Sequence, residues 1–573
     1  MKVADYIARR LAQKGITHAF VVQGSANNDA LYAIADTPGI EYICMQHEQA
    51  CGFAAEAYAK VTGRTGCVIT TSGPGGQNLA TPIANCFYDS VPVLFITGQV
   101  NSRFMRKDAS MRQLGFQEWP AVECFAPITK FAMKVLNPTH IDYALEKALY
   151  ECRAGRHGPC LLDIPIDVQK AEIEPKIHGY SPRQVAYDAT HEITQLIEDL
   201  KRAERPVLLI GGGVRSKREV DALDVLANAL RIPIFPTWNA LDVVTSDHPW
   251  YGGRVGTYGG PGRNFAVQNA DLLIAVGCRI SGRITGGKPE TFARGAKKYV
   301  VDVDPGLLDP ANQEVKTDVS ILCDAETFLR ELERRWRNAY TSNTDSYDAS
   351  WFYRSAKVWK LWTDRAFAWR DLYDPVTQEM LDQEPVHFYA FARRLSQMLP
   401  SNAVITYDCG GNAVVMNHAF QTKRGQRYFS NNGNSPMGFA FAAAIGAWFA
   451  DPSRPVICVI GDGGMQMNIQ ELQTLKNYVA NVKVFILDNR IYGITQAFQK
   501  HAYPDRVPEA SGLPHYSAPD FRAVAKAYGI NTFEITGNHA IEGGIHTVLN
   551  NPGAIVCVVS SPGFCDYWPA LKG

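Results

Sequence analysis

Asp462 and Asn489 stand 27 positions apart (462 to 489) in the segment PVICVIGDGGMQMNIQELQTLKNYVANVKVFILDNRIYG. Each follows an apolar run of strand character, and an amphipathic stretch separates them, so the segment reads as a βαβ unit. Both residues then fall at the carboxyl ends of parallel strands, where open sheets place their ligands. A carboxylate and an amide oxygen suit Mg²⁺, a hard ion that takes oxygen ligands and shares them with phosphates. Asp462, Asn489 and the carbonyl of Ile491 are therefore candidate metal ligands. Gly461, Gly463 and Gly464 allow backbone to approach a diphosphate, and the helix expected to begin near Gln466 offers it unpaired N–H groups. A GDGG turn alone would equally fit a tight turn whose aspartate caps a helix. The asparagine closing the next strand is what argues for a cation.

The elements that must hold such a site recur along the chain. THAFVVQG, EYICMQHE, GCVITTSGPG and VPVLFITGQV are strand-like, with helical spacing in NDALYAIAD, ACGFAAEAYAKVTG and NLATPIANCFYD between them; GPCLLDIPIDVQ closes this unit. After a looser stretch, AEIEPKIHGYSPRQV, a second unit contains RPVLLIGGGV, IPIFPTWNA, ADLLIAVGCRI and KKYVVDVDP. A polar, Trp-rich segment from about Arg335 to Glu384 leads to a third, with AVITYDCGGN, PVICVIGDGG, VKVFILDNRIYG and AIVCVVSSPG. Strands alternating with helices predict an α/β chain of three doubly wound parallel-sheet domains.

Composition fits an enzyme of small molecules. Lys plus Arg and Asp plus Glu both total 57 of 573 residues, so no net field favours nucleic acid or an anionic membrane. The amino-terminal MKVADYIARRLAQKG carries Asp5, Arg9 and Arg10 where a signal peptide needs an apolar core, and no apolar run has membrane-spanning length. The 13 cysteines form no CxxC pair and read as buried small hydrophobes, so a cytoplasmic protein is expected.

Several segments resemble the acetolactate synthase family of thiamine-diphosphate enzymes. The GDG and Asn489 pair is similar to the family's cofactor signature, with Asp488 standing where the family has the first of two asparagines. MQHEQ resembles its HEQ segment, TTSGPGGQN its TSGPGATN and DSVPVLFITGQV its DSVPVVAITGQV; the likeness runs from Ile16 to about Ile494. The resemblance implies a pyrimidine-binding domain over 1–175, a central FAD- or nucleotide-binding-like domain over 190–335 and a diphosphate- and Mg²⁺-binding domain over 375–573. It implies that Glu48 hydrogen-bonds N1′ of the cofactor's aminopyrimidine, with Gly24, Gly73, Pro74 and Asn78 lining the same cofactor. By itself Glu48 could be a carboxylate favourably placed at a helix N-terminus. In the family this glutamate and the diphosphate site of one centre come from different chains, so a homodimer or homotetramer is implied.

NSPMGFAFAAAIGA resembles the family's GTMGFGLPAAIGA, which puts Met437 under the bent cofactor and the Ser435 carbonyl at its 4′-amino group. YDCGGNAVV matches the family's DVGQHQM: Gly410 aligns with its glycine, while Gly411 and Asn412 replace a Gln–His pair at the diphosphate. RQLGFQEWPAVECFAPITKF resembles an FQE…PITK segment and places Phe116, Gln117 and Lys130 on the acceptor side. In the middle unit GRVGTYGG…ADLLIAVGCRISGRITGG resembles an FAD cradle. It implies contacts from Gly256, Thr257, Tyr258, Gly277, Cys278, Arg279, Ile280, Arg283, Asp302 and Asp324; Ser281 and Gly282 replace two family carboxylates, and a related ADP site or an empty cleft is the alternative. Phe498 stands closest to the family's specificity tryptophan.

The function expected is decarboxylation of pyruvate or another 2-oxo acid and transfer of the acetyl unit to a 2-oxo acid, ketone or keto-sugar. LGFQE and KALYECRAGRHGPCLLDIPIDVQ resemble synthase-like enzymes of sugar pathways. A simple decarboxylase or a C–C lyase or hydrolase with the same cofactor is the alternative. A nicotinamide dehydrogenase lacks support, since GGGV at Gly211–Val214 is not a GxGxxG loop.

Overall fold

The computed structural model describes residues 1–108, 110–174, 179–182, 186–257, 259–341 and 350–567. Its strands form three sheets, each parallel throughout. The first holds β1 (His18–Val21), β2 (Glu41–Cys44), β3 (Gly66–Thr70), β4 (Val93–Gln99), β5 (Phe131–Lys134) and β6 (Cys160–Pro165), in the order β2-β1-β3-β4-β6-β5. The second holds β7 (Pro206–Ile210), β8 (Ile234–Pro236), β9 (Leu272–Val276), β10 (Lys297–Asp302) and β11 (Val319–Leu322), ordered β11-β10-β9-β7-β8. The third holds β12 (Val404–Tyr407), β13 (Arg427–Phe429), β14 (Val456–Gly461), β15 (Val482–Asp488), β16 (Asn531–Ile535) and β17 (Ile555–Ser560), ordered β13-β12-β14-β15-β17-β16. The first and third sheets share one topology.

Inner strands are apolar on both faces because helices cover both, and β3, β4, β15 and β6 are buried at every position. Each sheet's winding reverses near its centre, between β1 and β3, between β7 and β9, and between β12 and β14. At such points the loops diverge and leave a crevice beyond the strand ends.

The first and third units share a core. Helix Glu48–Thr62 lies against helix Phe439–Ala450, and both are rich in alanine on the facing sides. A side-chain carbon on Gly446 would stand 2.0 Å from the Ala54 carbonyl oxygen, so only glycine permits this approach. The Lys60 ammonium lies 5.4 Å from the ring centre of Phe439. These pairings, 60 with 439 and 54 with 446, make the helices antiparallel.

Two sequence expectations are corrected. The helix after β14 begins at Asp462, not near Gln466, so the aspartate occupies its first turn. Four strands were not anticipated: β5, β11, β13 and β16, all at sheet edges. No helix among the described residues is long and apolar enough to cross a membrane.

Candidate active site

Three loops of the third unit converge at its winding reversal. Asp408, closing β12, accepts hydrogen bonds from the N–H groups of Gly438 (3.0 Å) and Ala440 (3.3 Å), anchoring the start of helix Phe439–Ala450. A side chain on Gly464 would meet Asp408 Oδ2 at 2.0 Å, and one on Gly463 would meet Met437 Cε at 3.0 Å and the Tyr492 ring at 2.6 Å. Asn468 Nδ2 donates to the Gly438 carbonyl (2.9 Å). Asp462, Gly463, Gly464, Met437, Gly410 and Asn489 are thereby gathered at the ends of β12, β14 and β15.

The electrostatics there favour a cation. Asp462 is 4% exposed and Asn489 7%. Burial, and then the neighbouring Asp488 carboxylate, push Asp462 up to about 7. Its Oδ2 is buried without a hydrogen-bond partner among the described residues. A buried carboxylate in this state is poorly compensated until a cation supplies the missing charge. Asn489 donates Nδ2 to the Phe564 carbonyl (2.7 Å), leaving Oδ1 to face Ile491, whose N–H reaches it at 3.4 Å.

Helix Gly411–Ala419 starts at the same point, after Gly410 at φ 71°. The amide of Asn412 places one of its two N–H donors on the Val459 carbonyl (2.7 Å). The helix also offers its own first N–H groups at this point. Ser435 has φ 55°, an uncommon conformation for a residue with a side chain.

Glu48 belongs to a second cluster, at the winding reversal of the first sheet. It opens its helix behind the His47 cap, and Asn78 Nδ2 donates to its Oε2 (2.9 Å). The loops after β1 and β3 touch so closely that a side chain on Gly24 would meet Thr71 Cβ at 2.5 Å. Gly73, at φ 59°, is followed by Pro74 in the first turn of a short helix, and its open side is filled by Gln117, itself at φ 65°. Gly24, Glu48, Gly73, Pro74, Asn78 and Gln117 therefore share one corner. Phe116 beside them is 86% exposed.

Lys130 does not join them. It precedes β5, at the edge of the sheet opposite β2, three to four strand spacings and so roughly 14–19 Å across the sheet from β3 and β1. Its ammonium donates to the carbonyls of Glu151 (2.5 Å) and Ala154 at the end of a helix, and burial lowers its pKa. Within one chain its donors serve that helix end, not an acceptor.

A cleft of about 1710 Å³ runs between the three units, larger than the usual ~300–1,000 Å³ of small-molecule pockets. Thr257, Gly277, Cys278, Arg279, Ile280, Arg283, Asp302 and Asp324 line it, and so do Gly410, Ser435 and Phe498 of the third unit. At the β7–β9 reversal a side chain on Gly211 would lie 1.9 Å from the Gly277 oxygen, so two bare backbone loops meet there. Gly256, at φ 98°, packs under the Arg283 carbonyl, to which Thr257 donates through N–H (2.8 Å) and Oγ1 (3.0 Å). Burial raises the Asp302 pKa, and Asp324 is committed to the Thr327 N–H (2.9 Å) as a helix cap. Tyr258 lies outside the described residues.

Sequence reasoning missed Asp408 and Asn468, which hold the start of helix Phe439–Ala450, and Tyr567, whose hydroxyl would sit 1.9 Å from a side chain on Gly411. The YDCGGN motif contains Asp408, and its position at a strand end was the available signal.

Comparison with known proteins agrees with this architecture. Residues 1–121, 193–332 and 408–559 match the N-terminal TPP binding, central and C-terminal TPP binding domains of thiamine pyrophosphate enzymes. The chain is 33% identical to the probable acetolactate synthase large subunit of Methanocaldococcus jannaschii, over 98% of this chain and 92% of that one. It is similar to the acetolactate synthase isozyme 2 large subunit of Escherichia coli at 32%, over 100% and 97%. Against acetolactate synthase 1, chloroplastic, of Oryza sativa subsp. japonica the identity is 30%, over 98% and 85%. The chain belongs to the acetolactate synthase family of thiamine pyrophosphate enzymes.

Proposed function

We propose that this chain is a thiamine-diphosphate-dependent carboligase that decarboxylates pyruvate and passes the acetyl unit to a carbonyl acceptor, which is a 2-oxo acid, ketone or keto-sugar. The observation that supports transfer over simple decarboxylation is the cleft that opens beside Ser435 and Phe498. A decarboxylase needs room for one small acid and a proton, whereas a carboligase must admit a second carbonyl compound to the same place. Relatives of near-equal length carry the name acetolactate synthase, which points the same way.

Thiamine diphosphate, when bound, would supply the carbanion chemistry that decarboxylation and acyl transfer need. Glu48, set by Asn78 and by its place at a helix N-terminus, would hydrogen-bond N1′ of the pyrimidine and share a proton with it. Met437 would support the ring system and the Ser435 carbonyl would accept from the 4′-amino group. Asp462, Asn489 and the Ile491 carbonyl would hold Mg²⁺; the burial of Asp462 and Asn489 and the oxygen donors of the set fit it. Gly410, Gly411, Gly463 and Gly464 admit the diphosphate. Gln117 and Phe116 orient the acceptor, Phe498 bounds it, and exclusion of water protects the acyl unit from premature protonation. The glycine-built cradle of the middle unit suits FAD in a structural role, because carboligation transfers no net electrons. The spans 1–175, 190–335 and 375–573 are the domains we assign to these tasks.

Purified protein incubated with thiamine diphosphate, Mg²⁺, FAD and pyruvate, with and without a ketone acceptor, and read by mass spectrometry tests the proposal. Acetolactate, acetoin or a tertiary alcohol sustains it. Acetaldehyde alone makes the protein a decarboxylase, and untouched pyruvate removes pyruvate as donor.

A further inference from the structure

The loop Ser430–Ser435 carries the strained Ser435 and leads into Met437, and the first unit shapes it. Lys60 Nζ donates to the Ser430 carbonyl (2.8 Å). Asn431 Nδ2 donates to Glu56 Oε1 (2.9 Å), which turns Asn431 Oδ1 toward the N–H groups of Asn434 (3.1 Å) and Ser435 (3.3 Å). Asp89 accepts from two successive loop N–H groups, Asn432 on Oδ2 (3.0 Å) and Gly433 on Oδ1 (2.8 Å). Lys60 ties both carboxylates together, at 2.6 Å from Glu56 and 3.3 Å from Asp89.

These three ions are taken almost wholly out of water, with side-chain exposures of 0% for Glu56, 3% for Asp89 and 12% for Lys60. Burying ions costs free energy that their mutual attraction offsets only in good geometry, so such a cluster is a poor way to gain stability. Burial raises the Glu56 pKa against the opposing pull of Lys60, while the two carboxylates overcome burial to raise that of Lys60. What the cluster does provide is a fixed set of acceptors and one donor that leave the loop a single conformation.

We propose that Glu56, Lys60 and Asp89 are positioning residues: they set the Ser430–Ser435 loop, and through it the Ser435 carbonyl and Met437, against the aminopyrimidine end of the cofactor. The inference rests on the thiamine-diphosphate reading of the site. Helix Glu48–Thr62 then has two duties, presenting Glu48 at its start and holding the loop of its own chain through Glu56 and Lys60.

The test uses full-length Asp89→Asn, which preserves shape but can accept only one of the two loop N–H groups. Lys60→Arg, which preserves charge but not the point geometry of an ammonium, is the second variant. Cofactor binding is titrated by tryptophan fluorescence, the cofactor's setting is read by near-ultraviolet circular dichroism, and kcat and pyruvate KM are measured beside thermal unfolding. The expected result is bound cofactor with altered dichroism and kcat lower by about 10–100-fold, the loss typical of misplacement by about 1 Å, while KM stays within about twofold. Dichroism and kcat equal to wild type, or activity losses that track only the folded fraction, overturn the inference. A wild-type protein that binds no thiamine diphosphate overturns the reading of the site itself, and this inference with it.

Discussion

Glu48 meets the Asn78 amide at 2.9 Å and sits in the first turn of its helix, so its negative charge is supported before any cofactor arrives. Glu48→Gln keeps the shape and removes the charge. Turnover is expected to fall by about 10²–10⁴-fold, the range for loss of proton-transfer assistance, while thiamine diphosphate still quenches tryptophan fluorescence; unchanged turnover removes Glu48 from the mechanism. Asp462→Ala acts at the other end. Added Mg²⁺ and thiamine diphosphate should raise the wild-type melting temperature, and the variant should lose that rise because a buried ligand is gone. An equal rise in both proteins places the metal elsewhere. Asp462 was legible from its spacing to Asn489 along the chain, and Glu48 only through the resemblance of MQHEQ to the family's segment. The direction of Asn412 and the ties of Lys130 were not, since the Val459 carbonyl and a helix end 21 and 24 positions beyond Lys130 decide them.

Helix and strand contacts explain which elements could be read. Inner strands such as β4 and β15 are continuous apolar runs buried along their length, whereas β5, β11, β13 and β16 pair on one side only and carry mixed sequences such as FAMK and NTFEI. The contact of helices Glu48–Thr62 and Phe439–Ala450 was likewise hidden, because their small residues gain meaning only when the backbones meet. Gly446→Ala is expected to destabilise by roughly 1–3 kcal/mol or more, since its new carbon runs into backbone. Gly543→Ala, in helix Ile541–Asn550 with nothing within 4 Å, should instead stabilise by about 0.5–1 kcal/mol. Melting curves of the two variants decide whether close approach, and not glycine content, governs the first site. Within β6, burial pushes Asp163 up from 3.8 to about 6 despite hydrogen bonds from Thr97 (2.8 Å) and Gln99 (3.1 Å). A carboxyl whose pKa is raised by folding adds stability that is complete below about 4 and lost as pH rises through about 6, here on the order of 3 kcal/mol. Melting temperature should therefore fall less between pH 4 and 7 in Asp163→Asn than in the wild type; parallel curves would sink this account.

The shared topology of the first and third sheets and their antiparallel helix pair set where the two clusters stand in one molecule. The Phe439 end, with Gly438 and Met437, lies level with Lys60, twelve residues along the helix from Glu48 and so about 18 Å away at 1.5 Å per residue. One chain therefore keeps its Glu48 corner apart from its own Asp462 corner, as the centre shared between two chains that the family resemblance implies would require. Exposed apolar side chains near both corners, Phe116 at 86% and Leu513 at 83%, fit cover by a second copy. The arrangement yields a mixing experiment. Glu48→Gln and Asp462→Ala chains are each expected to be nearly inactive alone. Co-refolded or co-expressed in equal amounts, half of the dimers are mixed, and each mixed dimer holds one centre with both residues intact and one with neither. Recovery of about a quarter of wild-type activity is then expected from a two-fold dimer with random pairing. Analytical ultracentrifugation of the same samples should show a dimer or a tetramer. If each centre were built from a single chain, no mixing ratio would restore turnover, because every centre would still lack one of the two carboxylates.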